Sequence, residues 1–108
     1  MESIKEDKIS KITVHFSKDL NEEYMKNFAY KVGQILKAIA TGKHAPVSVS
    51  GEADKVRAFA KAIGHEMKYI NALESSNTGD PQVMDMRHDL EESIREFEKS
   101  TGIKWPVR

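Results

Sequence analysis

The chain of 108 residues can bury one hydrophobic core and is too short for two, so residues 1–108 are read as a single domain. Hydrophobic residues make up 39% and charged residues 31%, with a formal net charge of zero, the balance of an ordinary globular protein. The absence of cysteine excludes a disulfide framework, a thiolate metal site and a cysteine nucleophile, and suits a reducing compartment, so the expected localisation is cytoplasmic.

Residues 1–9 form a polar lead-in (Met1-Glu2-Ser3-Ile4-Lys5-Glu6-Asp7-Lys8-Ile9) without the apolar centre of a signal peptide. Nowhere does an apolar run approach the roughly 20 residues that a membrane-spanning helix needs. From Lys11 to Ser17 apolar and polar positions alternate, with Ile12, Val14 and Phe16 on one face and Thr13 and His15 on the other. That spacing predicts a strand covered on one side. Asp19 followed three residues later by Glu22 resembles a capping box, and the apolar stripe Leu20, Tyr24, Phe28, Val32, Ile35, Leu36, Ile39 predicts a first helix over residues 19–41, stopped at Thr41-Gly42.

Pro46 opens a second predicted strand, Val47 to Ser50, with both valines facing the core and Ser50 placed to cap the next helix. The second helix is expected from about Glu52 to Leu73 or Glu74, with Val56, Phe59, Ile63, Met67 and Ile70 toward the sheet. Gly64 in its interior costs about 1 kcal/mol relative to alanine and suggests a close approach by a neighbour. The polar string Ser75 to Gly79 predicts a turn, and Asp80-Pro81 supplies an N-cap and a first-turn proline. A third helix then carries Val83, Met86, Leu90, Ile94 and Phe97 at helical spacing and ends at Thr101-Gly102. The C-terminal arm, residues 102–108, alternates again at Ile103-Lys104-Trp105-Pro106-Val107 and is expected to dock as an extended arm or a short strand.

This order defines an α+β class: a small β-α-β-α-α domain with a two-stranded sheet packed against helices, or a three-stranded sheet completed by the arm, or one extended across a dimer. A two-stranded sheet leaves edges that a partner can pair.

No motif for catalysis, metal or phosphate is complete. His65-Glu66 begins like a zinc-protease helix, but Tyr69 stands where the second histidine is required. Thr41-Gly42-Lys43 lacks the phosphate-loop glycine five residues before Gly42, where Lys37 sits. The histidines His15, His44, His65 and His88 form no local ligand set, so neither a cofactor nor a metal is expected.

Three surfaces remain. The second helix carries a semi-apolar face of Ala58, Ala62, Tyr69 and Leu73 which, with Trp105, reads as a partner interface unless the third helix packs there. Residues 8–72 hold 11 Lys/Arg against 6 Asp/Glu, and Lys26, Tyr30, Lys37, Lys43, Arg57, Lys61 and Lys68 make a candidate nucleic-acid face. Residues 73–108 hold 5 against 8, and Asp85, Asp89, Glu92 and Glu96 form an acidic ridge on the third helix, with Glu91 and Arg95 spaced as an i, i+4 pair. The expected function is a small binding or regulatory protein that acts through helix surfaces on a protein partner and self-associates as a homodimer. The alternative is a nucleic-acid-associated accessory protein using the Lys/Arg/Tyr face.

Overall fold

The structure, a computed structural model, describes residues 11–42, 46–75 and 79–107. The chain runs β1 (Ile12–His15), α1 (Glu22–Ala40), β2 (Val47–Ser50), α2 (Ala53–Ser75) and α3 (Pro81–Thr101), a β-α-β-α-α fold of the α+β class. Residues 1–9, Lys43 and His44 lie outside the described residues, as do residues 76–78 of the predicted turn.

Among the described residues the sheet is two-stranded and parallel, with Ile12 opposite Val47 and His15 opposite Ser50. Alternation buries Ile12, Val14 and Phe16 against the helices and leaves Thr13 and His15 in solvent. α1 returns between the two strands, as a parallel pair requires. It begins at Glu22 rather than at residue 19, because Asn21 is the N-cap: its Oδ1 accepts from the Tyr24 amide at 2.8 Å, while Asp19 instead accepts from the Asn21 side-chain amide. Gly42 at φ 74° ends the helix as expected.

At the β2–α2 junction Gly51 adopts φ 134°, and a Cβ there would stand 2.9 Å from Phe16 Cβ, so the turn needs glycine for both its backbone and its contact. The Ser50 side chain does not cap α2, since its hydroxyl bonds the His15 ring at 2.8 Å; the backbone carbonyl of Glu52 takes the first helical amide, from Val56. The glycine in mid-helix, Gly64, would have nothing within 4 Å of an added methyl, so no neighbour approaches it closely.

The buried line of α2 is Phe59, Ala62 and Glu66, rotated from the expected stripe, and Met67 is 41% exposed instead of facing the sheet. The rotation has a physical cause. α2 packs along its length on α3, so its best-buried side points between α3 and α1, leaving Val56, Ile63 and Ile70 half-buried. α3 starts at Pro81 behind an Asp80 cap that accepts from the Gln82 amide at 2.9 Å, and it ends on Gly102 at φ 75°.

One side chain from each of the three helices meets, at the centre, the side chain that directly follows β1. Phe16, Phe28, Phe59 and Phe97 are all the phenylalanines of the chain, and all six of their pairs have ring centroids 5.5–6.0 Å apart. Burying each ring contributes on the order of 2–3 kcal/mol, and edge-on pairs add to that. Trp105 closes the cluster, 5.1 Å from Phe97 and 6.1 Å from Phe59. The arm therefore does not form a third strand. It is pinned by Ile103 and Trp105 inside the core, by the Trp105 amide donating to Glu98 Oε2 at 2.8 Å, and by its indole N–H donating to Glu66 Oε1 at 3.1 Å.

A candidate strand-binding edge

Parallel pairing decides which backbone groups of β1 remain available. The Ile12 amide donates to Pro46 O at 2.9 Å and the Phe16 amide to Ser50 O at 3.0 Å, so the even-numbered residues of β1 direct their amides and carbonyls at β2. Thr13 and His15 direct theirs the other way, toward the open edge. The Tyr24 hydroxyl donates to the His15 carbonyl at 2.6 Å, which leaves the Thr13 N–H, the Thr13 C=O and the His15 N–H as the edge groups of the strand that no backbone group claims among the described residues. Burial raises the Tyr24 phenol above its ordinary pKa, against smaller lowering effects from the backbone at Ser17 and from Lys55.

Beside this edge lies a half-open cleft of about 260 Å³ lined by Val14, His15, Ser17, Tyr24, Asn27, Phe28 and Lys31. Its wall is one stripe of α1, since Tyr24, Asn27, Phe28 and Lys31 fall at i, i+3, i+4 and i+7. Val14 and Phe28 are the buried floor, and the polar side chains form the rim. Lys31 is the one lysine on this lining, which holds no arginine and no carboxylate. The periodicity of α1 groups Tyr24 and Phe28 with the core, whereas their cleft-facing sides depend on the edge of β1. Lys31 did carry a signal: at 100° per residue it lies about 20° from Tyr24, inside the apolar sector, where a lysine is out of place.

The surfaces expected from sequence are distributed differently. Ala62 and Trp105 are enclosed in the intramolecular core at 0% and 3% exposure, leaving no surface for a partner, while Ala58, Tyr69 and Leu73 are half-buried. Tyr69 lines a shallow groove with Val83, Met84, Arg87, His88 and Glu91 on α3. Lys26, Tyr30, Lys37, Arg57, Lys61 and Lys68 are exposed, Tyr30 at 67%, but they are divided between α1 and α2. Lys61 is 3.0 Å from Glu96, which joins the basic flank of α2 to the acidic ridge of α3. Asp85, Asp89, Glu92 and Glu96 are exposed; His88 stands 3.5 Å from Glu92, and Glu91 pairs with Arg87 at 3.4 Å, one turn before the Arg95 partner that spacing suggested. Among the described residues no group of three His, Asp or Glu side chains is arranged to hold a metal ion, and no helix is long and apolar enough to cross a membrane.

One pair outside the cleft has the elements of a nucleophile and a base. His65 Nδ1 is bonded to Ser93 Oγ, and Ser93 is 2% exposed. The Ser93 hydroxyl also donates to the Asp89 carbonyl at 3.0 Å. The pair clamps α2 to α3. Comparison of the chain with protein-family models, curated proteins and solved structures finds no match.

Proposed function

We propose that this chain is a small binding protein that takes an extended segment of a protein partner as a third strand beside β1. The observation that carries this reading is the open edge itself: unclaimed backbone groups at Thr13 and His15, flanked by a cleft with an apolar floor and a polar rim. Strand addition draws affinity from main-chain hydrogen bonds and specificity from alternate side chains, and the edge and the cleft offer both. A two-stranded sheet is marginal by itself, and a third strand adds ladder bonds and covers apolar surface.

Self-pairing through this edge is disfavoured by charge. An antiparallel pairing centred on Thr13 would bring together two edges that are each flanked by Lys11 and Lys18. The partner is therefore a different chain.

The test is substitution of Thr13 by proline. Its N–H points away from β2, so Thr13→Pro removes an edge donor while sparing the β1–β2 ladder. A peptide-display library panned on immobilised protein is expected to yield extended binders that protect the Thr13 and His15 amides from hydrogen exchange and fail on the folded Thr13→Pro variant. Binders that leave both amides unprotected and bind the variant equally would overturn the reading.

A further inference from the structure

Resting on strand addition at β1, we infer that the bound segment is acidic, presenting an Asp or Glu side chain to Lys31 and an apolar side chain, two residues away, to Val14 and Phe28. Lys31 carries the argument. It is half-buried, and its neighbours along the helix face are Asn27 and Ile35 at four residues and Phe28 and Gln34 at three, so α1 supplies it no carboxylate. From the strand side it faces His15 and Ser17, which supply none either. Lys31 makes no ion pair among the described residues. A half-buried lysine with no carboxylate beside it among the described residues is open to pairing with one from another chain.

Positive charge also flanks the strand itself. Lys11 and Lys18 are exposed just before and just after β1, whereas the exposed acids Asp19, Glu22 and Glu23 gather at the start of α1, away from Lys31 about two turns further along the helix. The spacing also fits. Helix rise puts Lys31 about 10 Å from Tyr24 along α1, with Phe28 between them, and alternate residues of an extended strand fall about 7 Å apart. An apolar residue over Phe28 thus places the second residue along within reach of the Lys31 ammonium. Because the contact lies on the pleated face of the added strand, it is made by a side chain and not by a chain terminus.

The test uses eight-residue peptides of alternating threonine and valine, beginning with threonine, acetylated and amidated, with Glu, Gln or Lys replacing the valine at the fourth position, titrated into the full chain by NMR. The expected result is that the Glu peptide binds about tenfold tighter than the Gln peptide while protecting the Thr13 and His15 amides, and that Lys31→Glu reverses the order in favour of the Lys peptide. Equal affinities for Glu and Gln, with both amides protected, would leave strand addition standing and overturn the acidic preference. Failure of every peptide to protect the amides would overturn strand addition itself. If a Gln peptide with a free C-terminal carboxylate matched the amidated Glu peptide, the anion would be a terminus and the side-chain assignment would fall.

Discussion

Trp105 lies near the C-terminal end, where chains usually fray, yet it is only 3% exposed, so truncating it tests whether the arm is part of the fold. An aromatic ring of this kind buries about 150–250 Å², which at about 25 cal/mol per Å² is on the order of 4–6 kcal/mol, and measured Trp→Ala costs of about 3–5 kcal/mol agree. A domain of this length has a total stability of about 5–16 kcal/mol, so Trp105→Ala removes a large share of it. Trp105→Phe keeps most of the ring contact with Phe97 and Phe59 but deletes the indole donor to the buried Glu66 carboxylate, for an expected loss of about 2 kcal/mol. In a Glu66→Gln background the lost bond is neutral instead of charge-assisted, so the same Trp105→Phe change should cost about 1 kcal/mol less. Urea unfolding followed by far-UV circular dichroism measures all four corners of this cycle. Equal costs of Trp105→Phe in the two backgrounds would mean that the carboxylate charge adds nothing to its bond with the indole. A Trp105→Ala cost below about 1 kcal/mol would mean that the arm is not anchored.

Gly33 and Gly64 lie in helix interiors with nothing within 4 Å of an added methyl, so Gly33→Ala and Gly64→Ala should each raise stability by about 0.5–1 kcal/mol, read as a higher urea midpoint. Gly51→Ala should do the opposite, costing about 2 kcal/mol or more, because it meets Phe16 at 2.9 Å in a backbone conformation hostile to side chains. Tyr24 has a folded-state pKa raised by burial, so its stabilising contribution is fully present below the unfolded phenol value of about 10 and is lost as pH rises through the folded value. Between pH 9 and 11 the urea midpoint should therefore fall more for the wild-type chain than for Tyr24→Phe. Lys61→Ala should change stability by less than about 1 kcal/mol despite the 3.0 Å bridge to Glu96, since both side chains are more than half exposed.

Sequence patterning identified every helix and strand among the described residues because each has its own periodicity and punctuation: Asp80-Pro81 at the start of α3, Gly42 and Gly102 at helix ends, and strict alternation in β1. It misjudged what depends on neighbours distant in sequence. The rotation of α2 that exposes Met67 and buries Glu66 follows from the fit against α3 and from the Trp105 indole, 39 residues further on. Asp19 and Asn21 are both good capping residues, and local chemistry alone does not choose between them; the chain enters α1 at an angle that brings Asn21 to the Tyr24 amide. The candidate edge was the least legible part. An unpaired strand edge has no composition of its own, and only the register with β2 reveals which amides of β1 face outward.

The aromatic centre and the candidate edge share Phe28, and this connects stability to recognition. Its ring is held 5.9 Å from Phe16, 5.8 Å from Phe59, 5.8 Å from Phe97 and 6.5 Å from Tyr24, so the floor of the cleft is fixed by four neighbours before any segment arrives. The Tyr24 bond to the His15 carbonyl likewise holds the wall of α1 at the end of β1. A binding edge whose floor and wall are already ordered leaves most of the ordering cost with the incoming segment, and that cost falls for a sequence already extended in solution. Side chains that repel one another and favour extension, acidic ones among them, are therefore suited to this edge for two separate reasons: lower cost of ordering and attraction to Lys31.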